Sequence, residues 1–138
     1  MFAIFSVQFD SMHQLNLAWA KHLLSDEYDL PQPVKLAFSK LLNSFHLIIC
    51  RLQGTESESE LADYHPEKYW LQLENANHRD IELFLMKYDH EQLNELQRAL
   101  LFQLLRDHSF YLGQLQLLCQ QHQIPLLNDQ LFKINLDE

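Results

Sequence analysis

Histidine and carboxylate residues at helical spacing are the part of this sequence best suited to chemistry. Three such spacings occur: Asp10-x-x-His13, His22-x-x-x-Asp26 and Glu74-x-x-x-His78-x-x-x-Glu82. Residues three or four apart share one face of a helix, where imidazole and carboxylate groups can hold a metal ion or move protons. The eight histidines form no His-x-x-x-His or His-x-His pair, however, and oppositely charged pairs at this spacing are routine surface stabilisers. We therefore predict no metal site and no cofactor.

A triplet of ionisable residues, Arg106-Asp107-His108, interrupts the apolar run between residues 101 and 122. On a helical wheel at 100° per residue, His108 falls within the leucine-rich arc, Asp107 lies at its edge and Arg106 points the opposite way. The three side chains therefore face different surroundings and do not form a catalytic cluster. We expect Arg106 to be solvated and His108 to be a core or border histidine with one hydrogen-bond partner.

The far side of the same helix is also partly apolar. It carries Ala99, Phe102, Phe110, Gly113 and Leu117. A helix that is apolar on two sides is usually central in a bundle, or it packs against a second partner. We interpret it as the central helix, and the seam of a homodimer is the alternative.

The acidic residues point to a class of partner. The net charge is −9 with only ten basic residues, which are spread along the chain, so direct binding to nucleic acid or an anionic membrane is disfavoured. Residues 53–66, QGTESESELADYHP, contain acids but no Lys or Arg, and tyrosine and tryptophan follow. A solvated linker is the simpler interpretation. Acids beside aromatic anchors are also typical of a surface that binds a basic protein. The candidate partner-binding residues are Glu56, Glu58, Glu60, Asp63, Tyr64, Glu67, Tyr69 and Trp70.

The cysteines and the N-terminus favour a cytoplasmic protein. Cys50 and Cys119 both lie in apolar runs, where buried free thiols are the ordinary interpretation, although one disulfide between them is the alternative. The opening residues MFAIFSVQFD have no basic residue before their apolar part, unlike a secretory signal. No apolar run has the length needed to span a bilayer.

The composition, with two glycines and four prolines, favours helices. The patterns predict helices over Met12–Leu24, Val34–Leu52, residues 66–88 with a restart at Asn77 or Asp80 as an alternative, and from an N-cap at Asp89 to about Gln123. Two terminal segments alternate like strands, through Phe5, Val7 and Phe9 and through Phe132, Ile134 and Leu136. We predict a mainly α, single domain over residues 1–138: a bundle of four or five helices around the long C-terminal helix, with short extended or β-like ends.

The function that these patterns favour is a non-enzymatic protein–protein interaction module. Its most concrete form is a small acidic inhibitor, immunity-type protein or chaperone that binds a basic protein. The sequence has no Gly-x-Ser-x-Gly motif, P-loop or glycine-rich dinucleotide motif. The alternative is a metal-dependent or acid–base enzyme built around the histidines.

Overall fold

The described residues form a mainly α bundle, as the sequence predicts. The computed structural model describes residues 2–25, 29–88 and 92–127. Their four α-helices are α1 (Phe2–Leu23), α2 (Gln32–Gln53), α3 (Trp70–Lys87) and α4 (Glu95–Gln121), and a 3₁₀ turn, Glu67–Tyr69, leads into α3. None of the helices in these ranges has both the length and the apolar composition that crossing a bilayer requires.

The N-terminal segment is helical, so the extended structure expected there is corrected. Phe5 and Phe9 are each 2% exposed and stand one helical turn apart, with ring centroids 6.1 Å from each other, while Val7 between them is 65% exposed. An apolar alternation this short fits both the two-residue period of a strand and the 3.6-residue period of a helix. Packing of Phe9 against Phe45 favours the helix. The predicted C-terminal extended segment, with Phe132, Ile134 and Leu136, lies outside the described residues.

The most enclosed helix is α2. It begins after Pro31, with Pro33 in its first turn, where the fixed φ of proline favours a helix start. Gly54 ends it in the left-handed region at φ 71°, and the N–H of Thr55 bonds back to the carbonyl of Cys50. Thirteen of its 22 residues are buried, against six of the 27 in α4. Among the described helices, α4 is the longest, and a long C-terminal helix was predicted, but α2 occupies the central position that we expected for it.

The start of α4 differs from the prediction. Asn94 is its N-cap, since Asn94 Oδ1 accepts from Gln97 N at 2.7 Å and Gln97 Oε1 accepts from Asn94 N at 2.9 Å. The expected N-cap, Asp89, lies outside the described residues. In contrast, α3 is continuous: Asn77 does not restart it but donates to the carbonyl of Leu42 on α2 at 3.1 Å.

The core consists of two apolar clusters with a layer of buried polar side chains between them. The Phe45 cluster comprises Phe5, Phe9, Met12, Phe45, Ile48, Ile49, Leu52, Ile81, Phe84, Leu85, Leu93, Leu100, Leu101 and Leu104. The Trp70 cluster comprises Trp19, Ala20, Leu23, Leu30, Val34, Ala37, Phe38, Leu41, Leu42, Trp70, Leu115, Cys119 and Ile124. The polar layer comprises His13, Asn16, Asn43, Ser44, Glu74, Asn77 and His108. Each of the four helices contributes to it; on α4, His108 falls between Leu104 of one cluster and Leu115 of the other.

Candidate functional site

A chain of hydrogen bonds runs through the polar layer and joins three helices. Glu74 of α3 is 3% exposed. Its Oε2 accepts from Nδ1 of His13 at 2.7 Å, and its Oε1 accepts from Nδ2 of Asn16 at 2.9 Å. The other side of the Asn16 amide, Oδ1, accepts from Nε2 of His108 on α4 at 2.7 Å. The buried carboxylate is therefore satisfied at both oxygens, which a charge inside a protein requires.

The hydrogen-bond partner of His108 determines which ring nitrogen carries the hydrogen. Because an amide oxygen only accepts, Nε2 of His108 must carry a hydrogen. Burial lowers the pKa of His108 to about 4, so the ring is neutral at pH 7. The predicted core or border histidine is found, but its partner is Asn16 and not Asp107, which faces Gln103. Arg106 is 75% exposed, as expected.

At its outer end the network reaches a cluster of histidines and carboxylates. The His13 ring stacks on His78, with centroids 3.9 Å apart and an interplanar angle of 3°. Nε2 of His78 lies 2.8 Å from Oδ1 of Asp10 and 3.2 Å from Oε1 of Glu82. His78 is 18% exposed, whereas the two carboxylates are about half exposed. The histidine and carboxylate residues of two of the spacings seen in the sequence, one on α1 and one on α3, are thus in contact with each other.

The third spacing is not assembled in the same way. His22 donates from Nε2 to the carbonyl of Pro125 at 2.6 Å, and Asp26 lies outside the described residues. Among the described residues, one group of three could hold a metal ion: ligand atoms of Asp10, His78 and Glu82 lie within 4.8 Å of one another. One imidazole nitrogen and two carboxylate oxygens suit zinc or manganese, and the same groups also suit a simple ion pair with protonated His78.

The acidic loop, defined here as residues 54–66, exposes most of the predicted partner-binding residues. Its four carboxylates are all exposed: Glu56, Glu58, Glu60 and Asp63. Tyr64 is 42% exposed, and Tyr69 beyond the loop is 43% exposed. These six residues therefore remain available on the surface.

The other two predicted residues are not free surface groups. Trp70 is fully buried, its ring stacks on Phe38 at 4.3 Å, and its Nε1 donates to the carbonyl of His65. The structure therefore moves Trp70 from the predicted binding surface to the core. Glu67 is half-buried and pairs with Nζ of Lys35 at 2.8 Å, an interaction that raises the pKa of Lys35.

The backbone of the acidic loop is held against α2, whereas its carboxylates are exposed, as the interpretation as a solvated linker predicts. Nδ2 of Asn43 donates to the carbonyls of Leu61 and Asp63, at 3.1 and 2.8 Å. Oδ1 of Asn43 accepts from Nε2 of His65 at 2.6 Å, and the N–H of His65 donates to Oγ of Ser39. The buried amide on α2 thus fixes the loop by three hydrogen bonds. This contact could not be predicted, because the sequence around an asparagine in an apolar helix does not indicate its hydrogen-bond partners.

A cleft of about 200 Å³ opens between the acidic loop, α2 and α3. Its charged and titratable lining residues are His46, Glu58, His65 and Asp80. Burial lowers the pKa of His65, which outweighs the opposing effect of Asp63, and so favours its neutral form. Within the part of the chain that the structure describes, the lining contains no Lys or Arg, although Nε of Arg79 lies 3.8 Å from Oδ1 of Asp80. The cleft is therefore suited to a cation.

Comparison of the chain with protein-family models, with curated proteins and with solved structures finds no match in any of the three.

Proposed function

We propose that this protein is a non-enzymatic interaction module that binds a basic protein through its acidic loop. The observation that carries the proposal is the combination of four exposed carboxylates with a backbone held in place by Asn43 and Ser39 of α2. Binding to a preformed loop avoids part of the entropy lost when a flexible segment is ordered. A concentrated negative field also accelerates encounter with a basic partner.

The cleft beside the loop gives the proposed interface a specific contact. The carboxylates of Glu58 and Asp80 line it, so it offers acceptors to a Lys or Arg side chain of the partner. Tyr64 is the exposed aromatic residue best placed to anchor the interface. The face of the Tyr69 ring is already occupied, because Nζ of Lys68 lies over it, 5.1 Å from the ring centroid.

A protein that occupies a basic groove is the most concrete form of the proposal, as an inhibitor, immunity-type protein or chaperone does. We place it in the cytoplasm, where free thiols such as those of Cys50 and Cys119 persist.

Charge reversal within the loop tests the proposal. Glu58→Lys with Glu60→Lys changes two exposed carboxylates that accept none of the loop's hydrogen bonds, whereas Asp63 is left intact because its Oδ2 accepts from Glu60 N. The partner is first captured from the native host and purified. We expect its association rate at low salt to fall about tenfold and to become less dependent on salt.

The matched control is Asp29→Lys with Glu95→Lys, which makes the same change in net charge at exposed sites outside the loop. Its association rate should change less than about twofold. Equal effects of both double variants mean that total charge, not the loop, directs binding. An unaltered rate for the loop variant overturns the proposal.

A second candidate function, binding of a divalent metal ion, is favoured by the convergence of Asp10, His78 and Glu82. The distances from His78 Nε2 to the two carboxylates, 2.8 and 3.2 Å, resemble those between ligands that share one ion at about 2.0–2.2 Å. Stacking on His13, itself bonded to Glu74, fixes the ring of His78. An ion here must displace the proton on Nε2.

Calorimetric titration of untagged protein with Zn²⁺, and separately with Mn²⁺, tests this candidate. The expectation is one ion per chain, with affinity at least about tenfold lower in Asp10→Asn/Glu82→Gln. Asp80→Asn/Glu95→Gln, which changes charge equally, should bind as the wild type does. If no ion binds, or if both double variants behave alike, the cluster is an ion pair only. Specific binding instead strengthens the alternative of a metal-dependent enzyme.

A further inference from the structure

The outward-facing side of α4 is a long apolar strip. Its four large apolar residues are more than half exposed: Leu96 at 62%, Phe102 and Phe110 at 57%, and Leu117 at 55%. Ala99, Arg106 and Gly113 complete the strip and are exposed as well. We call these seven residues the outer face of α4. The sequence pattern led us to expect this side in the interior, so its exposure requires another explanation.

The spacing of the outer face is that of a helix-pairing seam. Along the chain its members follow one another at intervals of three, three, four, four, three and four residues. These six intervals cover 21 residues, a mean of 3.5, which keeps one stripe facing a neighbouring helix, as in a coiled coil. The stripe runs for about 32 Å at 1.5 Å per residue.

The outer face also reads nearly the same from either end. Arg106 is at its centre; outward on each side come a phenylalanine, then a small residue, then a leucine. If two copies of α4 lie antiparallel about this centre, Phe102 of one faces Phe110 of the other, and Ala99 faces Gly113. A twofold interface requires this kind of self-complementarity, because one patch must fit itself.

Charge supports the same arrangement. At −9, two copies repel each other over most of their surface, but the outer face contains no acid and one base, Arg106. The next residue along the helix is Asp107, whose Oδ1 lies 3.7 Å from Nε of Arg106 in the same chain. Antiparallel pairing about this centre places the two Arg106 side chains opposite each other and within reach of Asp107 of the other copy, so two ionic contacts between the copies offset the like-charge repulsion.

We propose that the outer face of α4 is a self-association surface on which a second copy of this chain docks antiparallel. The four large side chains remove on the order of 450 Å² of surface per copy, if each contributes about half of a buried aromatic side chain's area or slightly more. Stable interfaces of standard size remove about 800 Å² per partner. The dimer is consequently weak and reversible, and its population depends on protein concentration.

Gly113 provides a variant that separates association from folding. A Cβ atom built at Gly113 meets nothing within 4 Å, and glycine is a poor helix former, so Gly113→Gln leaves the monomer at least as stable as before. In the antiparallel pair the added side chain holds the helices apart. We expect sedimentation velocity of the full chain, over a range of concentrations, to show at least about tenfold weaker dimerisation for Gly113→Gln.

A charge exchange tests the register. Arg106→Asp alone should weaken the dimer, and Arg106→Asp with Asp107→Arg should restore it, because the exchanged pair re-forms the contacts between copies. Met86→Glu, at a 71% exposed site on α3, is the control and should leave association unchanged.

The proposal is overturned if the wild-type chain stays monomeric at all concentrations, or if Gly113→Gln dimerises as the wild type does. A dimer that forms only after removal of residues 128–138 also overturns it, because those residues then cover the outer face themselves. Failure of the charge exchange to restore the dimer excludes the antiparallel register.

Discussion

The two apolar clusters and the polar layer between them hold the bundle together by different means. The clusters contain leucine, isoleucine and aromatic side chains on all four helices. Such contacts are strong but not directional, so neighbouring leucine-rich helices have several acceptable ways to pack. In the polar layer, Glu74, Asn16 and His108 accept or donate at fixed atoms, and a small shift of one helix leaves a buried group unpaired.

Stability and register therefore come from different parts of the core. The apolar clusters supply most of the favourable free energy of folding, and the polar layer selects one alignment of α1, α3 and α4 among the alternatives. That alignment has a consequence at the surface. The bond between His13 and Glu74 fixes the ring on which His78 stacks, and so sets the position of the group formed with Asp10 and Glu82.

The largest effect should come from the Trp70 cluster. Trp70→Ala removes a fully buried ring and its hydrogen bond to the carbonyl of His65, and we expect a loss of about 3–5 kcal/mol in the free energy of unfolding. The neighbouring Tyr69→Ala, at a 43% exposed site, should cost less than about 1 kcal/mol. Urea unfolding followed by circular dichroism measures both. Similar losses for the two variants are incompatible with the division between core and surface at this point.

The boundary between buried Trp70 and exposed Tyr69 also shows which features of the structure could not be predicted from the sequence. The helices themselves were predictable, because their apolar residues recur at helical spacing over many turns. The side of α3 that Trp70 occupies was not, because the buried face of α3 continues through Glu74 and Asn77, two polar residues that give no apolar pattern. The buried position of His108 was predictable for the opposite reason: it follows from the phase within one continuous helix.

The candidate metal group illustrates a second limit. Both of its spacings are visible in the sequence, Asp10 with His13 and Glu74 with His78 and Glu82. Their meeting depends on how α1 is registered against α3, which no pattern within either helix specifies. The outer face of α4 is a similar case, since the same apolar residues fit a central helix or an exposed docking strip.

The pH dependence of stability distinguishes the polar layer from the apolar clusters, because apolar contacts are insensitive to pH. Burial lowers the pKa of His108 from 6.5 to about 4, so the unfolded chain binds a proton there more readily than the folded chain. Stability contributed by this group is complete above pH 6.5, falls as the pH decreases towards 4, and amounts to about 3 kcal/mol over that interval.

The measurement is the difference between wild type and His108→Gln, in which the amide can still donate to Asn16. The free energy of unfolding of the wild type should fall more steeply than that of the variant between pH 6.5 and 4, and the two slopes should agree above that window. Parallel curves throughout mean that His108 accepts its proton in the folded state.

The smallest effect should come from the centre of the polar layer, because the replacement can re-form its hydrogen bonds. In Glu74→Gln, the amide oxygen still accepts from Asn16, while the new NH₂ group faces Nδ1 of His13, at present a donor. His13 can adapt by moving its hydrogen to Nε2, so that Nδ1 accepts. A bond to a charged group is thereby replaced by a neutral one, at a cost of about 1 kcal/mol.

Glu74→Met, which removes both acceptors, should cost more in the same urea titration. Nitrogen-15 chemical shifts of His13 should report the change of tautomer in Glu74→Gln only. If His13 keeps its hydrogen on Nδ1 and the glutamine variant is as unstable as the methionine variant, the layer is too rigid to rearrange, and its specificity depends on the carboxylate itself.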